Sequence, residues 1–479
     1  MIRTHEGAVA HEHSLDHGVE FFSKAGSLFD NERMRSFYGS EETALGLFQK
    51  IWIVDQVLAM KLVMWLRDCR GGAGNRSGAR AIYKWLGERN AHLMRKNLVQ
   101  LPDLGRWDDL RSLFGTSLER DAAGFWAAAL FNGDQLAAKW ADRSDFPVLA
   151  KMREAGLVKD IGDFRRLLAK LRKDGIVEHK MCHQRWNMID YEKVPSVAMA
   201  RYTNAFKKHD ETRFEAFKEA LVSGEATIKA SVLFPHDCVR TTRHGDTTIA
   251  DAQFDALPNY MEETDERVIV ISDTSGSMDV AVSGSIMRVD ISQGLALYCS
   301  AKISEDNPFH KKFIAFCNEG KLQDWNGMSF SQAVRDRKIF DRAVGSTRID
   351  KALDLILNTA RFFNLTDEHI PTTLLIVSDM QFHQGTDDYS YDRDHEEDVK
   401  AVPEVRRALS KWEDSGYTAP KIVYWNVAGY AGQPETVEGT GIALVSGFSP
   451  AILGSIFDGT DLSPAGVMMR ALEKYKVYE

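Results

Sequence analysis

With 479 residues the chain is long enough for roughly two to four domains. Hydrophobic residues make up 44 % and charged residues 27 %, the balance of an ordinary globular protein with room for sizeable cores. The net charge of −9 excludes a basic nucleic-acid coat for the chain as a whole, but not a local basic face, because binding depends on where the charges sit.

The first residues, MIRTHEGAVAHEHSLDHG, lack the apolar segment of a signal peptide. Residues 1–20, with His5, His11, His13 and His17, read as a solvated, poorly ordered tail. From about Phe21 to Val239 apolar residues recur at three and four, as in Leu45, Phe48, Ile51, Trp52, Leu58, Leu62 and Trp65, which predicts helices. Similar runs span 79–86, 122–130, 164–171, 197–206 and 214–221. Gly39, Gly87, Gly133, Gly175 and Gly224 fall between or after them, where helices end, and Pro195 stands where one would begin. The stretch Leu47 to Leu66 is broken by Lys50, Asp55, Gln56 and Lys61, so it predicts an amphipathic core helix and no membrane span. Residues 21–239 are therefore expected to form an all-helical, repeat-like domain.

Residues 240–264 are polar and rich in Thr and Asp, which predicts an interdomain linker. Beyond it, short β-branched runs (RVIVIS, KFIAFC, TLLIVS, IVYWNV and IALVS) alternate with helical patterns over 289–303, 348–363, 402–412 and 450–457. That alternation predicts a doubly wound parallel sheet covered on both faces, making the chain α + α/β with an α/β domain over 265–479. The acidic stretch DDYSYDRDHEED, residues 387–398, reads as a solvated loop, and its spacing does not match an EF-hand.

RVIVIS runs directly into Asp273-Thr274-Ser275-Gly276-Ser277, a carboxylate and two hydroxyls on one tight loop. TLLIVS ends in Asp379, and Thr347 precedes a helix. Magnesium and similar hard cations require such oxygen donors, and ligands of parallel sheets gather at strand carboxyl ends. Asp273, Ser275, Ser277, Thr347 and Asp379 are thus the candidate ligands of Mg2+ or another divalent cation.

This pattern resembles the metal-ion-dependent adhesion site of von Willebrand factor A domains. The resemblance implies that the serines and the threonine hold the ion directly or through water, with the aspartates as direct or supporting ligands. It also implies one coordination position left open for an acidic group on a protein partner. The stretches Arg67-Asp68-Cys69-Arg70-Gly71-Gly72-Ala73-Gly74-Asn75-Arg76, Val194-Pro195-Ser196-Val197-Ala198, Pro235-His236, Ser378-Asp379-Met380-Gln381-Phe382 and Tyr424-Trp425-Asn426-Val427 resemble an uncharacterised plant and viral family, domain of unknown function 2828. That family couples a helical half to a von Willebrand A-like half. The domain order is similar to that of the TROVE (Ro autoantigen-like) family, which implies RNA as a partner of the helical half. The glycine-rich stretch itself lacks the Lys-Ser/Thr of a phosphate loop and reads as a tight helix–helix turn whose arginines pair with carboxylates.

Between Lys139 and Arg243 there are 21 basic and 15 acidic residues, opposing the sign of the whole chain. Lys170, Arg172, Lys173, Lys180, Arg185, Arg201, Lys207 and Lys208 are the candidate RNA contacts, with Trp186, Tyr191, Tyr202 and Phe206 interleaved as stacking or core residues. The leading expectation is an RNA-binding, ribonucleoprotein-type scaffold. The rival is a metal-dependent protein adhesion or assembly module without RNA. A metal-dependent phosphoesterase is disfavoured, because there is no second carboxylate cluster and His383 is the sole candidate base, so no enzyme is expected. Five scattered cysteines without a C-x-x-C pair point to a reducing, cytoplasmic setting without disulfides or zinc.

Overall fold

In the computed structural model residues 2–3, 9–10, 16–28, 43–173, 175–262, 264–283, 286–316, 319–340, 348–380, 404–428, 442–457 and 462–479 are described. The five β-branched runs, joined by one strand the sequence did not announce, β3, become a six-stranded sheet of β1 (Val268–Asp273), β2 (Lys312–Phe316), β3 (Gly320–Asp324), β4 (Thr373–Ser378), β5 (Lys421–Asn426) and β6 (Ile442–Ser446). The order is β6-β5-β4-β1-β2-β3, parallel throughout except for β3, which returns antiparallel along the edge. Side chains alternate between faces along each strand. Val268, Val270, Leu375, Val377, Val423 and Trp425 point into one core. Ile269, Ile271, Leu374, Ile376, Ile422 and Tyr424 point into the other, under helices Ile349–Phe362 and Glu404–Asp414. Both faces are covered, which is why these strands read as unbroken apolar runs.

The helical half builds from residue 16 onward. Thr43, Asn75, Asp134 and Asp160 each accept a backbone N–H at a helix start. Asp55 splits the expected long helix into Ala44–Val54 and Gln56–Arg67, because its extended backbone ends one helix while its side chain caps the next. Gly224 ends Glu211–Ser223 at a φ of 77°, a left-handed position that suits glycine. The helix His17–Lys24 replaces the expected tail over 17–20, and its Val19, Phe21 and Phe22 are buried. His5, His11 and His13 lie outside the described residues.

The expected linker is largely helical instead, up to Asp255. Pro235–His244 begins at a proline, and Thr247–Asp255 begins at the Asp246 cap. Thr241 and Thr242 donate their hydroxyls to the carbonyls four residues back, Asp237 and Cys238, so their polarity is satisfied inside the helix. The two halves consequently share one core, running from Phe22 and Trp65 through Cys238 to Val270, Val445 and Tyr475. Both chain ends cross the seam. Ser446 on β6 donates to the Phe22 carbonyl at 2.7 Å, and at the other end Tyr475 donates to Asp68 at 2.9 Å.

Helix Arg288–Lys302 crosses Pro235–His244 at Gly294, where an added Cβ would meet the His236 backbone nitrogen at 2.7 Å. Gly294→Val is expected to force the helices apart at a cost of about 1–3 kcal/mol. An unchanged urea midpoint for this variant would contradict the close crossing.

Among the described residues no helix is long and apolar enough to cross a membrane. Cys69, Cys182, Cys238 and Cys299 are free thiols, and burial pushes the Cys238 and Cys299 thiols above their ordinary range. Cys317 lies outside the described residues.

Candidate metal centre

Strand register delivers the two acids. In the parallel β1–β4 pair Ile271 stands opposite Ile376 and Ser272 opposite Val377. Asp273 and Ser378 come one step later, and Asp379 follows. The chain leaves β1 toward β2 on one side and later returns to β4 on the other. The acids thus stand at the topological switch point, where sheets of this kind place their ligands.

Asp273 and Asp379 are both fully buried. Asp273 accepts the Ser275 N–H at 2.9 Å through one carboxylate oxygen and the Ser378 hydroxyl at 2.5 Å through the other. The first bond folds the loop so that Ser275 Oγ and Ser277 Oγ lie 3.1 Å apart. Ser277 is half-buried and Gly276 exposed, so the loop opens to solvent. Burial first, and the charge of Asp379 second, push the Asp273 carboxyl well above its ordinary range. Met380 turns the chain away with a φ of 62°, a left-handed conformation that costs about 1–2 kcal/mol, and its N–H is held by Ser378 Oγ at 3.0 Å.

Arg288, itself buried, places Nη1 3.3 Å from Asp379 Oδ2 and 3.0 Å from the Ser277 carbonyl. Sequence reading missed it. The helical pattern in the sequence starts at Val289, so nothing in the sequence singles out Arg288. Its charge offsets one of the two carboxylates and ties the loop to the end of β4.

Thr347, His383 and the acidic stretch 387–398 lie outside the described residues. Among the described residues no three Asp, Glu, His or Cys side chains cluster as a metal group. The expected set holds only two carboxylates and draws its other donors from hydroxyls. Two carboxylates and two hydroxyls, without nitrogen or sulfur, are the donor chemistry of a hard, magnesium-class cation.

The residues expected to touch RNA are scattered in role. Lys170, Lys173, Arg201 and Lys208 are exposed, and Arg185 is half-buried. Arg172 is spent on the Ala138 and Ala141 carbonyls at the end of an earlier helix, Gln135–Trp140. Lys180 donates to the Met188 carbonyl, and Lys207 pairs with Asp246 at 2.7 Å. Of the interleaved aromatics, Tyr191 and Phe206 are core, and Trp186 and Tyr202 pack against that core. Trp186 also stacks on His209 at 4.8 Å. Helical spacing set these rings inward rather than toward a ligand.

In the glycine-rich turn, Arg67 pairs with Asp109 at 2.7 Å, both buried. Asn75 caps the next helix while donating to the Ala25 and Leu28 carbonyls.

Compared with known proteins, residues 267–473 match the family model described as a domain of unknown function (DUF7788), and residues 149–273 match that described as a domain of unknown function (DUF2828). A protein of Acanthamoeba polyphaga mimivirus, "Uncharacterized protein L728", is 24 % identical over 525 residues, covering 96 % of this chain and 87 % of its own. Among solved structures, the RO (RSR) protein of Deinococcus radiodurans superposes with a TM-score of 0.47 at 12 % identity, covering 96 % of this chain and 100 % of that one. The chain is thus similar to the family described as DUF2828 over residues 149–273, the family its motifs resemble, and to DUF7788 over residues 267–473.

Proposed function

We propose that this protein is a non-enzymatic scaffold whose α/β half is a von Willebrand A-like, cation-dependent binding module. The observation that carries the reading is the convergence of two buried carboxylates, Asp273 and Asp379, with the hydroxyls of Ser275 and Ser277 at one strand-end loop. Burying two like charges side by side is costly unless cationic groups compensate them, and among the described residues Arg288 pairs with Asp379. Ser275, Ser277 and Thr347 would hold the ion, with Asp273 and Asp379 supplying charge. When bound, such an ion supplies an open position for an acidic group of a partner.

Titration with Mn2+, followed by the electron paramagnetic resonance signal of the free ion, tests this directly. The full chain is expected to take up one ion. Removing one hydroxyl donor in Ser277→Ala should weaken it about tenfold, roughly 1.4 kcal/mol. Uptake unchanged in Ser277→Ala would overturn the proposed ligand set.

RNA binding by the helical half is the second reading, favoured by the basic excess between Lys139 and Arg243 and by the exposure of Lys170 and Lys173. Lys170→Glu with Lys173→Glu should weaken binding of a single-stranded oligoribonucleotide and flatten its salt dependence, since each lost phosphate contact releases fewer counterions. Arg172 is left intact because of its structural bonds. No binding by the full chain at low salt would remove this reading and leave the cation module standing.

A further inference from the structure

The motif Pro235-His236 opens the helix Pro235–His244, and its histidine is only 2 % exposed. Elements of both halves close around it. Phe234, 5.5 Å from the imidazole between ring centres, fills the space over Gly74 of the glycine-rich turn, where an added Cβ would meet Cζ at 2.8 Å. Helix Arg288–Lys302 brings Gly294 against the His236 backbone. The loop after β6 brings Phe448, whose ring stands at right angles to the imidazole at 5.7 Å. His236 thus sits in the seam where the helical half meets the sheet.

This packing leaves the imidazole poorly served. Nδ1 is buried and has no hydrogen-bond partner among the described residues, an uncommon state for a buried polar atom. Nε2 lies 4.0 Å from Asp237 Oδ1, beyond hydrogen-bond reach, and the other oxygen of that carboxylate accepts the Phe234 N–H at 3.0 Å. A neutral imidazole tolerates this setting. An imidazolium carries a charge and two N–H donors, and here it would be buried without acceptors for them. Burial accordingly pushes His236 below its ordinary range. The charged groups around it are Asp237 and Arg240 on its own helix and Asp290 on the crossing helix, and Asp290 already pairs with Arg243. The loop that carries Phe448, residues 447–450, adds none.

We infer that His236 is a pH-sensitive latch between the two halves: proton uptake by its ring parts helix Pro235–His244 from helix Arg288–Lys302 while the sheet stays folded. The inference does not depend on the cation reading. Its sign follows from burial. The closed state keeps the imidazole neutral, whereas the open state lets it titrate near its ordinary value of 6.5. A depressed value in the closed state means that the latch holds fully above pH 6.5 and weakens as pH falls below it. With one proton taken up on opening, the open fraction should rise about tenfold between pH 7.5 and 5.5.

Cys238 reports the opening, because it lies on the same helix, fully buried in the core shared with helix Arg288–Lys302. The full chain is treated with dithiodipyridine, which reacts with thiols in acid, at steps from pH 7.5 to 5.5. Modification of Cys238 is followed by mass spectrometry and normalised to glutathione in the same buffers, which removes the pH dependence of the thiol chemistry itself. The expected result is a rise of about tenfold in the wild type, with a slope of one proton below pH 6.5. Amide exchange in β1 and β4, corrected for intrinsic rates, should stay unchanged. In His236→Phe, which fills the site, and in His236→Gln, which stays polar, the Cys238 rate should hold within twofold. Each variant is read only if its circular dichroism at pH 7.5 matches the wild type, and the wild-type profile decides even if neither does. A flat wild-type profile, an equal rise in a folded variant, or exchange in β1 and β4 rising in step with Cys238 would overturn the latch.

Discussion

Asp109→Ala is expected to destabilise the protein by about 3–5 kcal/mol, a large share of the roughly 5–15 kcal/mol that holds a typical domain. Asp109 is fully buried and serves three donors at once. Arg67 reaches it at 2.7 Å, Arg80 Nε at 2.6 Å and the Arg106 N–H at 2.9 Å. Arg67 is 3 % exposed, so deleting its partner strands a guanidinium that water cannot reach. Arg80 is 30 % exposed and also touches Asp108, so Arg80→Ala should cost much less. Urea unfolding of Asp109→Ala, Arg67→Ala and the double variant checks this. The double variant should lose far less than the sum of the singles, because the second deletion removes the stranded charge. Additive losses would show that the two side chains do not act on each other.

This network was partly legible. The sequence places three arginines around three glycines, which predicts a turn tied by arginine–carboxylate pairs, but nothing in the spacing of Arg67 points to Asp109, 42 residues away. The strands were more transparent. Val268 to Asp273 and Thr373 to Ser378 are buried on both faces, so β-branched residues run unbroken and each strand announces both itself and the acid at its end. The edge strand Gly320–Asp324 left no such trace, because its residues are largely exposed and polar. The stretch after Arg240 was misread for a related reason. Its threonines and aspartates look like loop residues, yet they cap helices and bond back to carbonyls within them. The single core spanning both halves was not legible, since periodicity shows which face of an element is apolar and not which element will cover it. The pairing of Arg288 with Asp379 was hidden likewise, as contacts 91 residues apart are set by topology.

The second large effect concerns the cation. At a Mg2+ concentration one hundred times its dissociation constant, the wild-type chain should gain about 2.7 kcal/mol of stability, because the ion binds the folded state and not the unfolded one. Asp273→Asn should gain nothing. Without Mg2+, the variant should be at least as stable as the wild type. The amide oxygen still accepts the Ser275 N–H, and the repulsion between two buried carboxylates at adjacent strand ends is gone. Thermal unfolding of both proteins with and without Mg2+ reads the two effects together. A wild type indifferent to Mg2+, or a variant that responds equally, would refute them.

The most direct test of the cation-dependent module is the stoichiometry of Mg2+ binding to the full chain, measured by calorimetry beside Asp379→Asn. Asp379 lies on β4's exit, far in sequence from the serine loop, so its involvement follows only if strand register brings both acids to one site. One equivalent in the wild type and none in Asp379→Asn, with the variant's circular dichroism unchanged, is the predicted result. One equivalent in both proteins, or none in the wild type, would contradict the account.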